Sequence, residues 1–165
     1  MKPRRYGPFD YKPINRRPKI TWPDDNHLAL WVVPNIETFP LDEPVPGGTG
    51  IAPDVINWAT RDYGARVGVF RIMEVLNKHD IRGTVALNSE VCDDYSEIIE
   101  DALDLKWEFM GHNQSNSRYL HTIEENPGRK IVADTLDQIQ AATGTRPKGW
   151  LSSGLQQNWT TLDAL

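Results

Sequence analysis

Short apolar runs alternate with segments of helical hydrophobic spacing along most of this chain, and this order restricts the folds open to it. The apolar runs are LALWVVP (28–34), GTVALN (83–88), WEFMG (107–111) and a further strand expected around PKGWLSS (147–153). Helical patterns lie between them. Strands and helices in alternation form parallel sheets with right-handed crossovers. The sequence therefore predicts an α/β protein.

Local signals predict where several elements begin and end. LALWVVP is expected to be a strand buried on both faces. Asp94 and Glu97 have the spacing of a capping box at the start of a helix. Asn126-Pro127 predicts N-cap and N1 of a longer helix that ends at Gly144. The Pro/Gly-rich segment 38–54 is predicted to be a long loop, either a lid or an insertion.

Two architectures fit four β/α units, an open doubly wound sheet and a β/α barrel. Four units are about half of a barrel of roughly 200 to 250 residues. The last helical pattern is unfinished at Leu165, so we expect the N-terminal half of a barrel from a longer protein. Residues 1–26 are rich in Pro, Arg and Lys and predict an extended arm, which could contact a second subunit of a homo-oligomer. Residues 27–165 are expected to form the domain.

Charge and cysteine content narrow the classes of partner and compartment. A net charge of -5 argues against nucleic acid or an anionic membrane surface as the main partner. The only cysteine is Cys92, which excludes an intrachain disulfide. No run approaches the roughly 18 apolar residues of a membrane span, and no export signal is evident. A cytoplasmic protein is the expectation.

Polar residues follow all four predicted strands. They are Asn35 and Glu37, then Asn88, Ser89 and Glu90, then His112, Asn113 and Asn116, and finally Ser152 and Ser153. The carboxyl ends of parallel strands lie at one edge of a sheet and bind ligands there. We expect Glu37 and His112 to meet across adjacent strands, although a solvated loop carboxylate and a hydrogen-bonded turn histidine fit the same pattern.

These polar segments resemble the motifs of the polysaccharide deacetylases, also called the NodB homology or family 4 carbohydrate esterase superfamily. The matching stretches are NIET (35–38), HNQSN (112–116) and TRPKGW (145–150). The resemblance implies a distorted seven-stranded β/α barrel. It aligns Glu37 with a catalytic aspartate, Thr38 with a metal-binding aspartate and Asn116 with a metal-binding histidine. Two of three ligands are absent, so no cofactor is expected, with Zn²⁺ or another divalent ion at His112 as the alternative.

The segments RDYGARVGVFR (61–71) and RPKGWLSSGLQQNW (146–159) are more similar to a metal-independent, allantoinase-like branch of that superfamily. The resemblance implies hydrolysis of a non-peptide C–N bond in a small amide, ureide or acetylated sugar, with a general-acid histidine beyond Leu165. Glu37 is the expected base. In a dry, apolar site its pKa would be raised toward neutrality.

The predicted site contains two catalytic and six substrate-binding residues. The catalytic residues are Glu37 and His112, and the substrate-binding residues are Asn35, Asn113, Asn116, Arg61, Arg146 and Trp150. Structural alternatives stay open for three of them, namely a loop clamp for Arg146, a helix-head ion pair for Arg61 and a core position for Trp150. The alternative function is a catalytically silent relative that binds carbohydrate or small amides. A generic doubly wound binding module is a third, although no nucleotide-binding motif supports it.

Overall fold

The structure is a computed structural model that describes residues 9–165. Three parallel strands form its sheet in the order β1-β2-β3. Their bounds are Asn35–Ile36 for β1, Thr84–Leu87 for β2 and Glu108–Gly111 for β3. The helices are α1 (Val55–Tyr63), α2 (Val69–Lys78), α3 (Val91–Asp94), α4 (Ser96–Asp104), α5 (Glu125–Thr143) and α6 (Thr161–Ala164). The predicted alternation of strands and helices is confirmed.

Two apolar clusters hold the helices on the sheet. The first joins β2 to α2 and α4 through fully buried side chains such as Leu87 and Ile98. The second joins α5 to Leu120, and the ring of Trp150 packs against it. Burying one such aliphatic side chain stabilises the fold by about 1.5 to 3 kcal/mol. These clusters fix the sheet beneath the polar segments that follow each strand.

The first strand differs from its prediction. Leu28, Leu30 and Trp31 are 80%, 71% and 69% exposed, so the run LALWVVP is not a strand buried on both faces. Bonds from β2 reach the carbonyl oxygens of Val32, Pro34 and Ile36, but Pro34 has no N–H to donate. Regular pairing is therefore limited to Asn35–Ile36, apart from a single bridge between Val32 and Gly83.

Two helix starts also differ from the expected positions. Asp94 ends the short α3, and α4 begins after Tyr95 without a side-chain cap, so the predicted capping box is absent. Helix α5 begins at Glu125, which places Asn126-Pro127 inside its first turn. The predicted end is confirmed, since Gly144 follows α5 with φ of 75°, a conformation that favours glycine.

The fourth β/α unit continues the sheet through a single parallel bridge. Gly111 at the end of β3 pairs with Trp150. Leu151 N donates to Gly111 O at 2.9 Å, and Gly111 N donates to Gly149 O at 3.0 Å. The strand expected around 147–153 is thus reduced to this one bridge, which runs parallel to β3. It carries Ser152 and Ser153 to the same edge as the other strand ends.

The predictions of a long loop and of an N-terminal arm compare differently with the structure. Residues 38–54 form neither helix nor strand, as predicted. The first eight residues of the proposed arm lie outside the described residues. From residue 9 to residue 26 the chain has two single helical turns, Ile14–Arg16 and Pro23–Asp25, and largely exposed side chains. A role for the arm in subunit contacts stays a prediction. None of the helices between residues 9 and 165 has the length and apolar character needed to cross a bilayer.

Candidate active site at the carboxyl ends of the strands

Glu37 and His112 meet at the carboxyl edge of the sheet. His112 Nε2 lies 3.1 Å from Glu37 Oε1, although the two residues are 75 positions apart in sequence. Glu37 follows β1 and His112 follows β3. We expected these two strands to be adjacent, but β2 lies between them. The His112 side chain is 2% exposed and that of Glu37 is 27% exposed. The pair is therefore anchored on the buried histidine, with the carboxylate open to solvent.

The other ring nitrogen of His112 fixes its tautomer. His112 Nδ1 lies 2.5 Å from Leu151 O, and a carbonyl oxygen can only accept a hydrogen bond. Nδ1 therefore carries a proton, and the contact between Nε2 and Glu37 Oε1 requires one further proton between them. This arrangement orients the ring and ties the segment after β3 to the fourth strand segment.

The pKa of Glu37 is lowered from its ordinary value. The hydrogen bond from His112 is the largest cause, and it outweighs desolvation by burial, which acts in the opposite direction. The charge of His112 and hydrogen bonds from Asn116 and Asn35 add to the lowering. The condition for a raised pKa, a dry and apolar site, is not met, because hydrogen-bond donors surround the carboxylate. The carboxylate form of Glu37 is therefore favoured.

Asn116 presents its amide N–H group to Glu37. Its Oδ1 accepts from Ser153 Oγ at 2.5 Å and from Asn88 Nδ2 at 3.3 Å. Only the amide nitrogen is then available for the hydrogen bond to Glu37. The side chain is buried, with 6% of its surface exposed. A fixed neutral donor thus stands at the position that the resemblance aligns with a metal-binding histidine.

Asn88 and Ser153 hold the site together, and the predicted list of site residues omits both. Asn88 Oδ1 accepts from the backbone N of Thr38 at 2.9 Å, and its amide donates to the carbonyl oxygen of His112. The single hydroxyl proton of Ser153 is shared between this carbonyl oxygen, at 2.8 Å, and Asn116 Oδ1. Both residues are fully buried. The sequence signal that could have identified them as site residues is their position directly after a predicted strand.

The remaining predicted asparagines have distinct roles. Asn35 Nδ2 donates to Glu37 Oε1 at 3.3 Å and so belongs to the site. Asn113 is fully buried, with φ of 59°, and its Nδ2 donates to Arg118 O at 3.0 Å. The Asn113 amide therefore stabilises the loop after β3, and it influences the Glu37–His112 pair through that loop.

Arg61 lies beside Glu37. Both residues line a cleft of about 250 Å³ between β1 and the helices α1 and α2. The guanidinium carbon is 4.7 Å from the centre of the Phe39 ring, and Nη1 donates to Asn57 O at 3.1 Å. The ion pair expected among Arg61, Asp62 and Arg66 forms between Arg66 and Asp62, at 2.5 Å. Arg61 therefore lines the same cleft as Glu37, and its contact with a ligand stays a prediction.

Arg146 and Trp150 are not brought to the Glu37–His112 pair. Arg146 bonds to the side chain of Asp137 on α5 and lines a cavity of about 620 Å³ that includes Thr84 and Glu108, the first residues of β2 and β3. It therefore lies toward the amino ends of the strands. The Trp150 ring packs against Gly111 and the α5 cluster, and its Nε1 donates to Ser152 Oγ. The prediction that they contact substrate at this site is therefore wrong. Arg146 instead clamps its loop to α5, and Trp150 packs against the core.

The donor set around His112 does not fit a catalytic zinc ion, which takes three protein ligands and a water. Within residues 9–165, no three His, Cys, Asp or Glu side chains are grouped closely enough to hold a metal. Both ring nitrogens of His112 already have partners, and Asn116 directs a donor at the site. Thr38 is buried, and its backbone N–H is bonded to Asn88.

The fold is similar to that of solved polysaccharide deacetylases. A probable polysaccharide deacetylase from Pseudomonas aeruginosa PAO1 superposes with a TM-score of 0.77 at 19% identity, over 91% of this chain and 54% of that chain. The Puue allantoinase superposes with a TM-score of 0.73 at 20% identity, over 87% and 51%. A CE4 family pseudoenzyme from Bacillus anthracis superposes with a TM-score of 0.57 at 16% identity, over 78% and 36%.

The similarity covers most of this chain and about half of the first two solved structures. No protein-family model and no curated protein matches the sequence. The structural match distinguishes between the two expected architectures, because the neighbours are NodB-type barrels and not open sheets. The expected fold is confirmed: the chain forms about half of a NodB-type α/β barrel, the fold of the polysaccharide deacetylases.

Proposed function

We propose that the protein takes part in hydrolysis of a non-peptide C–N bond in a small amide, ureide or acetylated sugar, with Glu37 as the base that activates water. The observation that carries this proposal is the 3.1 Å contact between Glu37 and His112 at the carboxyl edge of the strands. Ligands bind at this edge in parallel α/β folds. The fold shared with a deacetylase and an allantoinase supports the same reaction class.

The lowered pKa of Glu37 keeps its carboxylate ionised at neutral pH, where it can accept a proton. His112 and Asn35 both bond to Oε1, and we therefore assign Oε2 to the attacking water. The water oxygen bonds to the carbonyl carbon as its proton passes to Glu37. The C–N bond then breaks, and the proton moves to the leaving nitrogen, so the net change is addition of one water.

His112 and Asn116 would stabilise the negative charge that forms on the carbonyl oxygen. Once Glu37 accepts a proton, its attraction for the donors around it falls. The Nε2–H of His112 and the amide N–H of Asn116 can then donate to the oxyanion. Such donors are most effective when they are fixed in advance, and these two are fixed by the bond that His112 Nδ1 donates to Leu151 O and the bond that Asn116 Oδ1 accepts from Ser153.

A panel assay of the purified protein tests this function. Acetylated sugars, allantoin and simple formamides are incubated with wild type, Glu37→Gln and the control Glu100→Gln, with and without chelator. Glu100 is exposed on α4, which makes it a matched control. We expect chelator-resistant turnover of one substrate class, with kcat at least about a hundredfold lower in Glu37→Gln only. Chelator-sensitive turnover that needs added zinc would contradict the metal-free chemistry.

A catalytically silent protein that binds carbohydrate or small amides is the second candidate. The lowered pKa of Glu37 favours it, because a carboxylate stabilised by an ion pair is a weaker base. The fold also occurs in a CE4 family pseudoenzyme. Calorimetric titration with the same panel separates the two candidates. Equal binding by wild type and Glu37→Gln without turnover by either would support the silent protein.

A further inference from the structure

Arg118 contacts the segments that follow all three strands. Its Nε lies 2.9 and 3.0 Å from the two carboxylate oxygens of Glu43, in the long loop after β1. Its Nη1 lies 2.8 Å from Glu90 Oε1, after β2, and 3.3 Å from Gln114 Oε1, after β3. A planar guanidinium with five donors is suited to bridging several acceptors at once, and lysine is not.

The backbone near Arg118 is bonded into the same arrangement. Arg118 O accepts from the Asn113 side chain at 3.0 Å, directly after His112 in sequence. Asn116 N donates to Thr38 O at 3.0 Å, which joins the loop after β3 to the residue after Glu37. These bonds and the Arg118 side chain therefore hold the same two loops, which carry Glu37 and His112.

The charges at this contact make Arg118 difficult to replace. Glu43 and Glu90 both pair with its guanidinium, and the three side chains are only 26 to 34% exposed. Their hydrogen bonds raise the pKa of Arg118 above its ordinary range. Without the guanidinium, two half-buried carboxylates would face each other, and their repulsion would push the loop after β1 away from the end of β2.

We propose that Arg118 is a positioning residue that clamps the three strand-end loops together and so keeps Glu37 within hydrogen-bond distance of His112. Its effect on catalysis rests on the proposed function, whereas its effect on the Glu37–His112 contact does not. Arg118 acts through Glu43, Glu90 and Gln114 and does not touch the pair itself. We therefore expect loss of the clamp to lower kcat about tenfold to a hundredfold and to leave KM little changed.

Side-chain ¹⁵N–¹H NMR of the histidines tests the clamp without any need for turnover. The chain has four histidines, and the exposed His27, His79 and His121 serve as internal references. We expect the His112 Nε2 resonance to shift and its proton to exchange faster in Arg118→Ala, with partial retention in Arg118→Lys. Arg129→Ala is the control, because Arg129 pairs with Asp163 at 3.8 Å between α5 and α6.

Glu43→Gln keeps the experiment decisive if Arg118→Ala fails to fold, since it weakens the clamp from the loop side. In Glu43→Gln the His112 Nε2 signal should move as it does in Arg118→Ala. Combining the two changes should shift the signal little further, because both break the same contact. An unchanged His112 signal in folded Arg118→Ala, or in Glu43→Gln when the former is unfolded, would overturn the proposal. If the signal moves in a protein that hydrolyses nothing, the clamp stands and the proposed function fails.

Discussion

Ser153 fixes the side-chain orientation of Asn116 through a 2.5 Å contact between Ser153 Oγ and Asn116 Oδ1. The hydroxyl donates to the amide oxygen, so the amide nitrogen faces Glu37. Ser153 is fully buried and comes from the fourth strand segment, whereas Glu37 follows the first strand. A residue from one side of the half-barrel thus sets the hydrogen bond that a carboxylate receives on the other.

Replacing Ser153 by alanine tests this relationship. The change leaves Asn116 Oδ1 with only the weaker 3.3 Å bond from Asn88 and removes one of the donors to His112 O. We expect the free energy of unfolding to fall by about 1 to 3 kcal/mol, the range for a buried hydrogen bond that loses one partner. Urea denaturation measures it, with Ser96→Ala on the exposed start of α4 as the control. A loss no larger than that of the control would contradict the role of Ser153.

The lowered pKa of Glu37 predicts a specific dependence of stability on pH. Because the folded-state pKa lies below the ordinary value of 4.5, the carboxylate contributes stability that is fully present above about pH 4.5. That contribution is lost as the pH falls through the folded-state value. The unfolding free energies of wild type and Glu37→Gln should therefore converge as the pH falls below about 4.5. A difference that grows on acidification would show that the pKa is raised.

Gly111 is required where the Trp150 ring crosses the end of β3. A Cβ at this position would lie 2.6 Å from Trp150 Cε3 and 3.2 Å from Leu136 Cδ2. We expect Gly111→Ala to destabilise the fold by about 1 to 3 kcal/mol through overpacking. Gly64→Ala is the matched control, since a Cβ there meets nothing within 4 Å. Equal melting temperatures for the two variants would contradict the packing described here.

The sequence predicts the elements that depend on local spacing. Apolar runs locate β2 and β3, and Gly144 marks the end of α5 because its positive φ is a property of the local backbone. The first strand was mispredicted, because the apolar run before Pro34 does not show which layers cover it. Burial of Leu28 or Trp31 would depend on distant contacts.

The same limit applies to the candidate site. Placement of His112 and Glu37 at one edge follows from their positions after parallel strands. The direction of the Asn116 amide and the clamp of Arg118 depend on partners far away in sequence, such as Glu43, which is 75 residues from Arg118. The direction of the Glu37 pKa shift depends on a distant partner in the same way, because its largest cause is the hydrogen bond from His112, 75 residues away.

The most direct test of the account is the state of the two ring nitrogens of His112 at pH 7, measured by ¹⁵N NMR in wild type and Glu37→Gln. The account predicts a protonated Nδ1 in both proteins, held by Leu151 O, and a change confined to Nε2 when Glu37 is replaced. An unprotonated Nδ1, or an Nε2 signal that is identical in the two folded proteins, would contradict the Glu37–His112 pair on which the proposed function depends.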